Sequence, residues 1–315
     1  MKKKEQHRIL GTFFLLMAAV VWGIAFVAQS EGMRYMGPFY FNGIRFALGG
    51  IVLLPVILLM DKMSTSKKET REKNRKVPSK VLLIGGIVCG LILFVANGFQ
   101  QIGIMYSTVG KAGFITTLYI IIVPILGIFI RKIPAWNVWI SVFIAAIGLF
   151  LLCFKEDLRL SLGDLLLLAC AFLFSLHILA IDYFSPKVQG VKLSCIQFFV
   201  SSICCFLVAI FREQITFQQI QEGIVPILYA GIMSCGVAYT FQIIGQKHME
   251  PAIASLLLSL EAVVSVIAGF LILGQRLSPQ ELSGCLIVFA AVILAQLPFH
   301  KKTSQIEIRM EDEAA

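Results

Sequence analysis

Residues 10–28 read LGTFFLLMAAVVWGIAFVA, an uncharged run of 19 residues from Leu10 to Ala28. A helix needs about 20 mainly apolar residues to cross a hydrocarbon core roughly 30 Å thick. Similar runs follow along the whole 315-residue chain, in which 58% of residues are hydrophobic and 14% are charged. Because a soluble domain is charged at about 25% of its positions, this chain is predicted to be an all-α membrane protein.

The apolar runs predict ten membrane-spanning helices. Proline marks several of their starts, at Pro38, Pro134, Pro251 and Pro279, where a missing backbone N–H costs no hydrogen bond. The predicted spans cover residues 10–29, 38–60, 80–101, 112–130, 135–154, 163–184, 191–211, 224–246, 252–273 and 280–297.

Charges in the connections predict how the chain is oriented. If the N-terminus is cytoplasmic, 20 of the 27 lysines and arginines fall on the cytoplasmic side, six fall on the other side, and Arg45 lies within a span. Cytoplasmic loops of membrane proteins carry an excess of Lys and Arg. We therefore expect a multi-pass protein of the cell membrane with cytoplasmic tails at 1–10 and 298–315, and a polar cytoplasmic loop over 61–80.

The two halves of the chain resemble each other. Residues 11–19 (GTFFLLMAA) parallel 163–171 (GDLLLLACA), residues 44–46 (IRF) parallel 196–198 (IQF), and residues 99–101 (FQQ) parallel 240–242 (TFQ). The offset drifts from about 152 to about 141 residues along the chain. These matches predict two five-helix repeats, over 11–154 and 155–297.

An odd number of spans in each repeat gives the repeat a functional meaning. The second repeat must enter the membrane from the side opposite to the first, so a pseudo-twofold axis in the membrane plane relates the two. Secondary transporters are often built in this way, because their two halves can exchange conformations around one central site. The repeat therefore predicts a transporter.

Several motifs resemble the drug/metabolite transporter superfamily, in particular its EamA-type bacterial branch. The first half carries AVVWG at 19–23 and GFITTLYIIIVP at 113–124. The second half carries QIIGQKHMEPA at 242–252, SLEA at 259–262, and GQRLS at 274–278 before Gly284. Members of the family usually have Glu where Gln275 stands and Pro where Ala262 stands.

The resemblance implies a basket of ten helices around a central cavity that is lined mainly by helices 1, 3, 4, 6, 8 and 9. Family members move amino acids, other metabolites or drugs, often outward. A ten-helix basket can enclose its cavity alone, so the oligomeric state is left open.

Charged residues within a span need an explanation, because each costs roughly 2.5–3.5 kcal/mol at a helix centre. Glu261, near the middle of span 9, is interpreted as binding a substrate amine or a proton, or as tying two helices together. For Arg45 in span 2, snorkelling or pairing with backbone carbonyls is favoured over binding a substrate carboxylate. His177 in span 6 is read either as a substrate- or proton-binding group or as a packing residue.

Aromatic and amide side chains form stripes on helices 1, 3 and 8, and such stripes face protein or water rather than lipid. A binding surface is favoured over interhelical hydrogen bonding alone. The steps Gly86-x-x-x-Gly90 and Gly43-x-x-x-Ala47 indicate close helix packing. The predicted substrate-binding residues are Trp22, Phe26, Gln29, Asn97, Gln101, Tyr119, His177, Tyr239, Gln242 and Glu261.

The function predicted from these patterns is secondary transport of a small amphipathic metabolite, such as an amino acid or a drug, driven by protons or by exchange. The sequence has no Walker motif (G-x-x-x-x-G-K-[ST]) and no cysteine or histidine cluster with metal-ligand spacing, so no cofactor, metal site or nucleic-acid partner is expected. An intramembrane enzyme, a receptor and a channel are the alternatives, and none of them accounts for the inverted repeat.

Overall fold

The computed structural model describes residues 2–65, 79–107, 109–153, 161–274 and 278–297. Most of the predicted polar loop over 61–80, the predicted C-terminal tail and Gln275 lie outside these ranges. So does the predicted junction between the two repeats, at residues 154 and 155.

The first half of the chain forms five helices, of which the fourth consists of two segments. Their bounds are α1 (Lys2–Gly32), α2 (Pro38–Thr65), α3 (Ser79–Met105), α4 (Val109–Thr117 and Tyr119–Phe129) and α5 (Trp136–Cys153).

The second half repeats this order, with a short connecting helix (Phe217–Glu222) before its third long helix. The third long helix is π-helical over Tyr229–Tyr239. The bounds are α6 (Leu162–Phe184), α7 (Gly190–Arg212), α8 (Ile224–Leu228, Tyr229–Tyr239 and Thr240–Gln246), α9 (Pro251–Leu258 and Leu260–Leu273) and α10 (Pro279–Gln296).

Nine helices in the described residues are long and apolar enough to cross a membrane. The remaining member of the predicted ten is α5, whose apolar stretch Trp136–Leu151 is shorter than the spans of these nine. The prediction of an all-helical membrane protein is confirmed, and Pro38, Pro251 and Pro279 begin their helices as expected.

Polar and apolar residues are distributed in the way that lipid solvation requires. Large apolar side chains cover the outside of the bundle, including Leu58, Phe143 and Phe211, whose exposed fractions are 70%, 68% and 84%. Amides and charged groups are buried inside it, among them Arg45 and Glu261. In a bilayer the polar groups have no water at the lipid surface, so they gather along the bundle axis.

The helices pack in reciprocal pairs, as an inverted repeat demands. Helix α1 packs on α8 and α9, and its counterpart α6 packs on α3 and α4. Three further pairs, α2 with α7, α4 with α9 and α5 with α10, join equivalent helices of the two halves. Phe46 and Phe198, which are equivalent in the repeat, stack on each other with ring centroids 6.0 Å apart and planes 13° apart. Their stacking indicates that the pseudo-twofold axis passes close to them.

Glycine contacts repeat the same reciprocity at close range. A Cβ atom at Gly103 would lie 2.7 Å from Leu167 Cγ, and one at Gly245 would lie 2.8 Å from Leu15 Cγ. Leu15 and Leu167 are equivalent residues of the repeat, with an offset of 152. Both crossings need glycine, because any side chain would push the two helices apart.

The ends of the α2–α7 pair are fixed by two acidic residues, again separated by 152 positions. The Glu213 carboxylate accepts hydrogen bonds from the backbone N–H groups of Phe39 (2.9 Å) and Tyr40 (2.8 Å), at the start of α2. Asp61, near the end of α2, pairs with Lys192 Nζ at 2.9 Å, near the start of α7. An anion beside a helix N-terminus satisfies otherwise unpaired N–H groups and opposes the helix dipole. These contacts hold together the helices that carry Arg45 and its counterpart Gln197.

Candidate functional site

A small polar cavity, of about 30 Å³, lies between the two halves. Its walls come from helices of both repeats, so it sits where the pseudo-twofold axis predicts a site. The lining residues are Trp22, Phe26, Gln29, Arg45, Asn97, Gln100, Tyr119, Phe174, Ile178, Ser234, Tyr239, Gln242, Leu258 and Glu261.

Helices α4 and α9 are interrupted beside this cavity, at equivalent positions. The interruptions fall at Leu118 (φ −59°, ψ −9°) and Ser259 (φ −60°, ψ −15°), 141 residues apart. Interrupted helices in corresponding positions of two inverted repeats typically mark the substrate site of a transporter. Here the residues just past the two breaks, Tyr119 and Glu261, both line the cavity.

Tyr119 and Glu261 join the two broken helices. The Tyr119 hydroxyl donates a hydrogen bond to Glu261 Oε1 at 2.9 Å. Glu261 is only 5% exposed, and this exposure is toward the cavity it lines. The carboxylate can therefore meet a proton or a cationic group that enters the cavity, and the hydrogen bond holds it in place.

Arg45, Asn97 and Tyr239 form a second polar corner of the cavity. The Arg45 guanidinium donates to Asn97 Oδ1, and Asn97 Nδ2 donates to Leu93 O (3.0 Å) and to Tyr239 Oη (3.4 Å). Arg45 is 1% exposed. Of the two structural roles expected for Arg45, snorkelling does not fit a side chain buried inside the bundle, and the partner at the helix interface is the Asn97 amide rather than a backbone carbonyl.

Aromatic rings form the apolar part of the wall. Trp22 contacts Tyr239 edge to face with ring centroids 4.6 Å apart, and its indole Nε1 donates to the backbone carbonyl of Ser234 at 3.3 Å. That carbonyl lies in the π-helical part of α8, where the wider turn changes the usual backbone pairing. The rings leave an apolar surface between the two polar corners.

Eight of the ten predicted binding residues line the cavity, and Gln101 and His177 do not. Gln101 Nε2 donates to the backbone carbonyl of Gln29 at 3.1 Å. His177 Nε2 lies 3.1 Å from Gln197 Oε1, and its ring meets Tyr239 edge to face at 6.1 Å. Both residues thus support cavity-lining residues from behind.

The remaining lining residues were not among those predicted to bind substrate, although the repeat contained a signal for two of them. Phe174 and Ile178 stand 152 positions after Trp22 and Phe26, so the offset of the first helices points to them directly. Gln100, next to the predicted Gln101, lines the cavity in its place. The others are Arg45, Ser234 and Leu258.

A second cavity, of about 380 Å³, lies near the end of α4 and the start of α9. Its lining includes Pro124, Lys132, Asp182 and Pro251, and Lys132 forms an ion pair with Asp182 that connects α4 to α6. The two cavities share no lining residue.

An apolar exterior, two reciprocal halves and a polar cavity between them define a membrane transporter. The model of the EamA-like transporter family matches residues 9–154 and again residues 161–297, so the chain belongs to this family. This membership confirms the resemblance stated from the motifs, and it makes the chain a transporter rather than an enzyme.

Full-length relatives agree with the family assignment. The chain is 26% identical to an uncharacterized transporter of Archaeoglobus fulgidus, over 92% of this chain and 87% of the relative. It is 24% identical to the uncharacterized transporter YwfM of Bacillus subtilis, over 93% and 96% of the two chains. A solved crystal structure shares the fold with a TM-score of 0.75 and 17% identity, and covers 92% of this chain and 97% of its own.

Proposed function

We propose that the chain is a secondary transporter that carries a small amphipathic organic compound, an amino acid or a related metabolite or drug, out of the cell. The observation that carries this proposal is the lining of the central cavity. It combines one buried cation, one buried carboxyl group, four amides and several aromatic rings. Such a wall suits a ligand with polar ends and an apolar body.

Alternating access is supported by the interruptions in α4 and α9. Each of these helices has an irregular turn beside the cavity, at Leu118 and at Ser259, where it can bend, and the turn recurs in both halves. Exchange of the two conformations between the halves would open the cavity first to one side of the membrane and then to the other. The second cavity, beside the Lys132–Asp182 pair, would be the entrance from the other side of the membrane.

Coupling to protons is assigned to Glu261, whose carboxyl group faces the cavity and bonds to Tyr119 across the two halves. A carboxyl group at this junction can exchange a proton for a substrate cation, so that only one of the two is carried in each direction.

Transport is tested with purified protein in liposomes that are loaded with a mixed metabolite extract. Wild-type protein should release some members of the mixture at least about tenfold faster than empty liposomes, and a complete absence of release would contradict the proposal. Leu258→Trp fills the cavity and should stop release. Leu282→Trp serves as the matched control, because Leu282 faces outward with 57% of its surface exposed. Melting curves of both variants check that each is folded.

The proposed orientation places both termini in the cytoplasm of a cell whose cytoplasmic membrane holds the protein, as the loop charges predict. A green fluorescent protein fused to the C-terminus of the full chain should then fluoresce, since it folds on the cytoplasmic side. An alkaline phosphatase fused at the same point should be inactive. An active phosphatase with a dark fluorescent fusion would reverse the proposed topology.

A further inference from the structure

Arg45 is a buried cation without an anionic partner in the described part of the chain. The ion pairs found there join Arg34 to Glu31, Lys111 to Asp164, Lys132 to Asp182 and Lys192 to Asp61. Arg45 is 1% exposed within a spanning helix, where a charge is costly to bury. The fold therefore keeps a charge there that it does not itself neutralise.

The neighbours of Arg45 leave part of its hydrogen-bonding capacity unused. A guanidinium has five N–H donors. In this structure it donates to Asn97 Oδ1, and its carbon lies 5.6 Å and 5.1 Å from the ring centroids of Phe41 and Phe46. The buried Nε has no hydrogen-bond partner. The two rings stabilise the cation weakly from the side, and Arg45 is among the residues that line the central cavity.

The repeat provides an internal comparison for this position. Gln197 is the counterpart of Arg45, on the equivalent helix and next to the equivalent Phe198. It is fully buried, and its side-chain oxygen pairs with the His177 ring at 3.1 Å. A neutral amide thus meets the packing needs of this position in the other half. The positive charge of Arg45 must serve something other than packing.

We infer that Arg45 anchors a carboxylate of the transported compound, so that the cavity takes amphipathic organic carboxylates. This inference rests on the proposed function and adds the substrate class to it. A carboxylate accepts two parallel hydrogen bonds from a guanidinium, and the Nε donor of Arg45 is without a hydrogen-bond partner in this structure. Trp22, Phe26 and Phe174 then cover the apolar body of the compound. If the compound also carries an ammonium group, Glu261 and the unpartnered Oε1 of Gln242 offer acceptors for it.

The test uses full-length protein in lipid nanodiscs and a panel of named probes. The panel contains the twenty proteinogenic amino acids, 3-phenylpropionate and octanoate, each with its matching amide, and binding is measured as a rise in melting temperature. Compounds that stabilise the wild type should be carboxylates, and each matching amide should bind about tenfold more weakly or worse. An amide that binds as well as its acid, or a panel in which no carboxylate binds, would overturn the inference.

Two substitutions separate binding from packing. Arg45→Met should abolish the carboxylate-dependent rise in melting temperature. It removes a charge that is costly to bury, but it also leaves Asn97 Oδ1 without its donor, so the carboxylate-dependent rise and not the ligand-free melting temperature decides the role of Arg45. Arg45→Lys, which keeps the charge but not the planar fork, should retain weak binding. Arg34→Met, at an exposed site, is the matched control and should behave as wild type.

Unchanged carboxylate binding by Arg45→Met would show that Arg45 is structural. Flux through liposomes keeps this inference apart from the proposed function. If wild type and Arg45→Met release carboxylates at the same rate, only the inference fails. If wild-type protein releases neither acids nor amides, the proposed function fails and the inference with it.

Discussion

Glu261→Gln is expected to reduce proton-driven flux by about tenfold or more and to leave the remaining flux independent of pH. Glutamine has nearly the same shape as glutamate, and its side-chain oxygen can still accept the hydrogen bond from Tyr119. The variant therefore removes the proton-binding group while it keeps the contact between α4 and α9. A lost interaction with a charged group costs about 1.5–3 kcal/mol, which corresponds to roughly a tenfold to hundredfold effect.

The measurement compares two assays in the same liposomes, one driven by a pH gradient and one that follows exchange of labelled for unlabelled substrate without a gradient. If Glu261 carries the proton, gradient-driven flux is lost while exchange persists. If Glu261 binds an amine of the substrate instead, both assays fail together. Glu222→Gln, on the exposed connecting helix, is the matched control. Wild-type rates and a wild-type pH profile in Glu261→Gln would contradict both roles.

Tyr119 has a weaker part in the same arrangement. Tyr119→Phe removes the hydroxyl group that bonds to the Glu261 carboxylate, although the ring still fills its buried position. The sequence offered no periodic signal for this residue, since it joins no polar stripe on its own helix. It stands in the run GFITTLYIIIVP at 113–124, and the structure places it opposite Glu261.

The architecture could be predicted because it depends on properties that are local in the sequence. The length of each apolar run sets the helices, loop charges set the expected orientation, and the match between residues 11–19 and 163–171 sets the repeat. These features need no knowledge of which side chains meet. The positions of Phe174 and Ile178 in the cavity could have been added by applying the same offset to Trp22 and Phe26.

The details of the site could not be predicted, because they depend on how the helices are rotated and paired. Gln100 and Gln101 both fall close to the stripe that begins at Asn97, at three and four residues along the helix, and only packing decides which one meets the cavity. The pairing of His177 with Gln197 likewise requires the register between α6 and α7.

Arg45 shows the same limit for a charged residue. Its distance from the end of α2 is compatible with snorkelling, and only the neighbouring α7 and α3 turn it inward. The π-helical stretch of α8 supplies the backbone carbonyl that accepts the hydrogen bond from Trp22. No feature of the sequence over Tyr229–Tyr239 predicts this departure from an α-helix.

Gly90→Ala is expected to destabilise the protein by about 1–3 kcal/mol, the usual range for an overfilled site, and Gly231→Ala by a similar amount. A Cβ atom at Gly90 would lie 2.7 Å from Val200 Cβ and 2.8 Å from the backbone oxygen of Gln197. At Gly231 it would lie 2.7 Å from Leu48 Cβ and 3.2 Å from the backbone oxygen of Arg45. Close packing at Gly90 was predicted from the Gly86-x-x-x-Gly90 step, whereas the equivalent contact of Gly231 follows from the repeat.

The two glycines allow close packing of the helices that position Arg45 and Gln197. Their substitution therefore tests whether equivalent contacts of the inverted repeat contribute equally to stability. Gly98→Ala, on the same helix as Gly90, is the matched control, because its Cβ would meet nothing closer than a ring atom of Phe39 at 3.5 Å. Thermal melts in nanodiscs should show clear losses for Gly90→Ala and Gly231→Ala, and for Gly98→Ala no loss or a small gain, since alanine favours helix. Equal melting temperatures for all three variants would mean that the helices do not cross as closely as described. A lower melting temperature for only one of the two variants would contradict the equivalence of the two contacts. Equivalent contacts must contribute similar energies if both halves are to exchange conformations around the cavity.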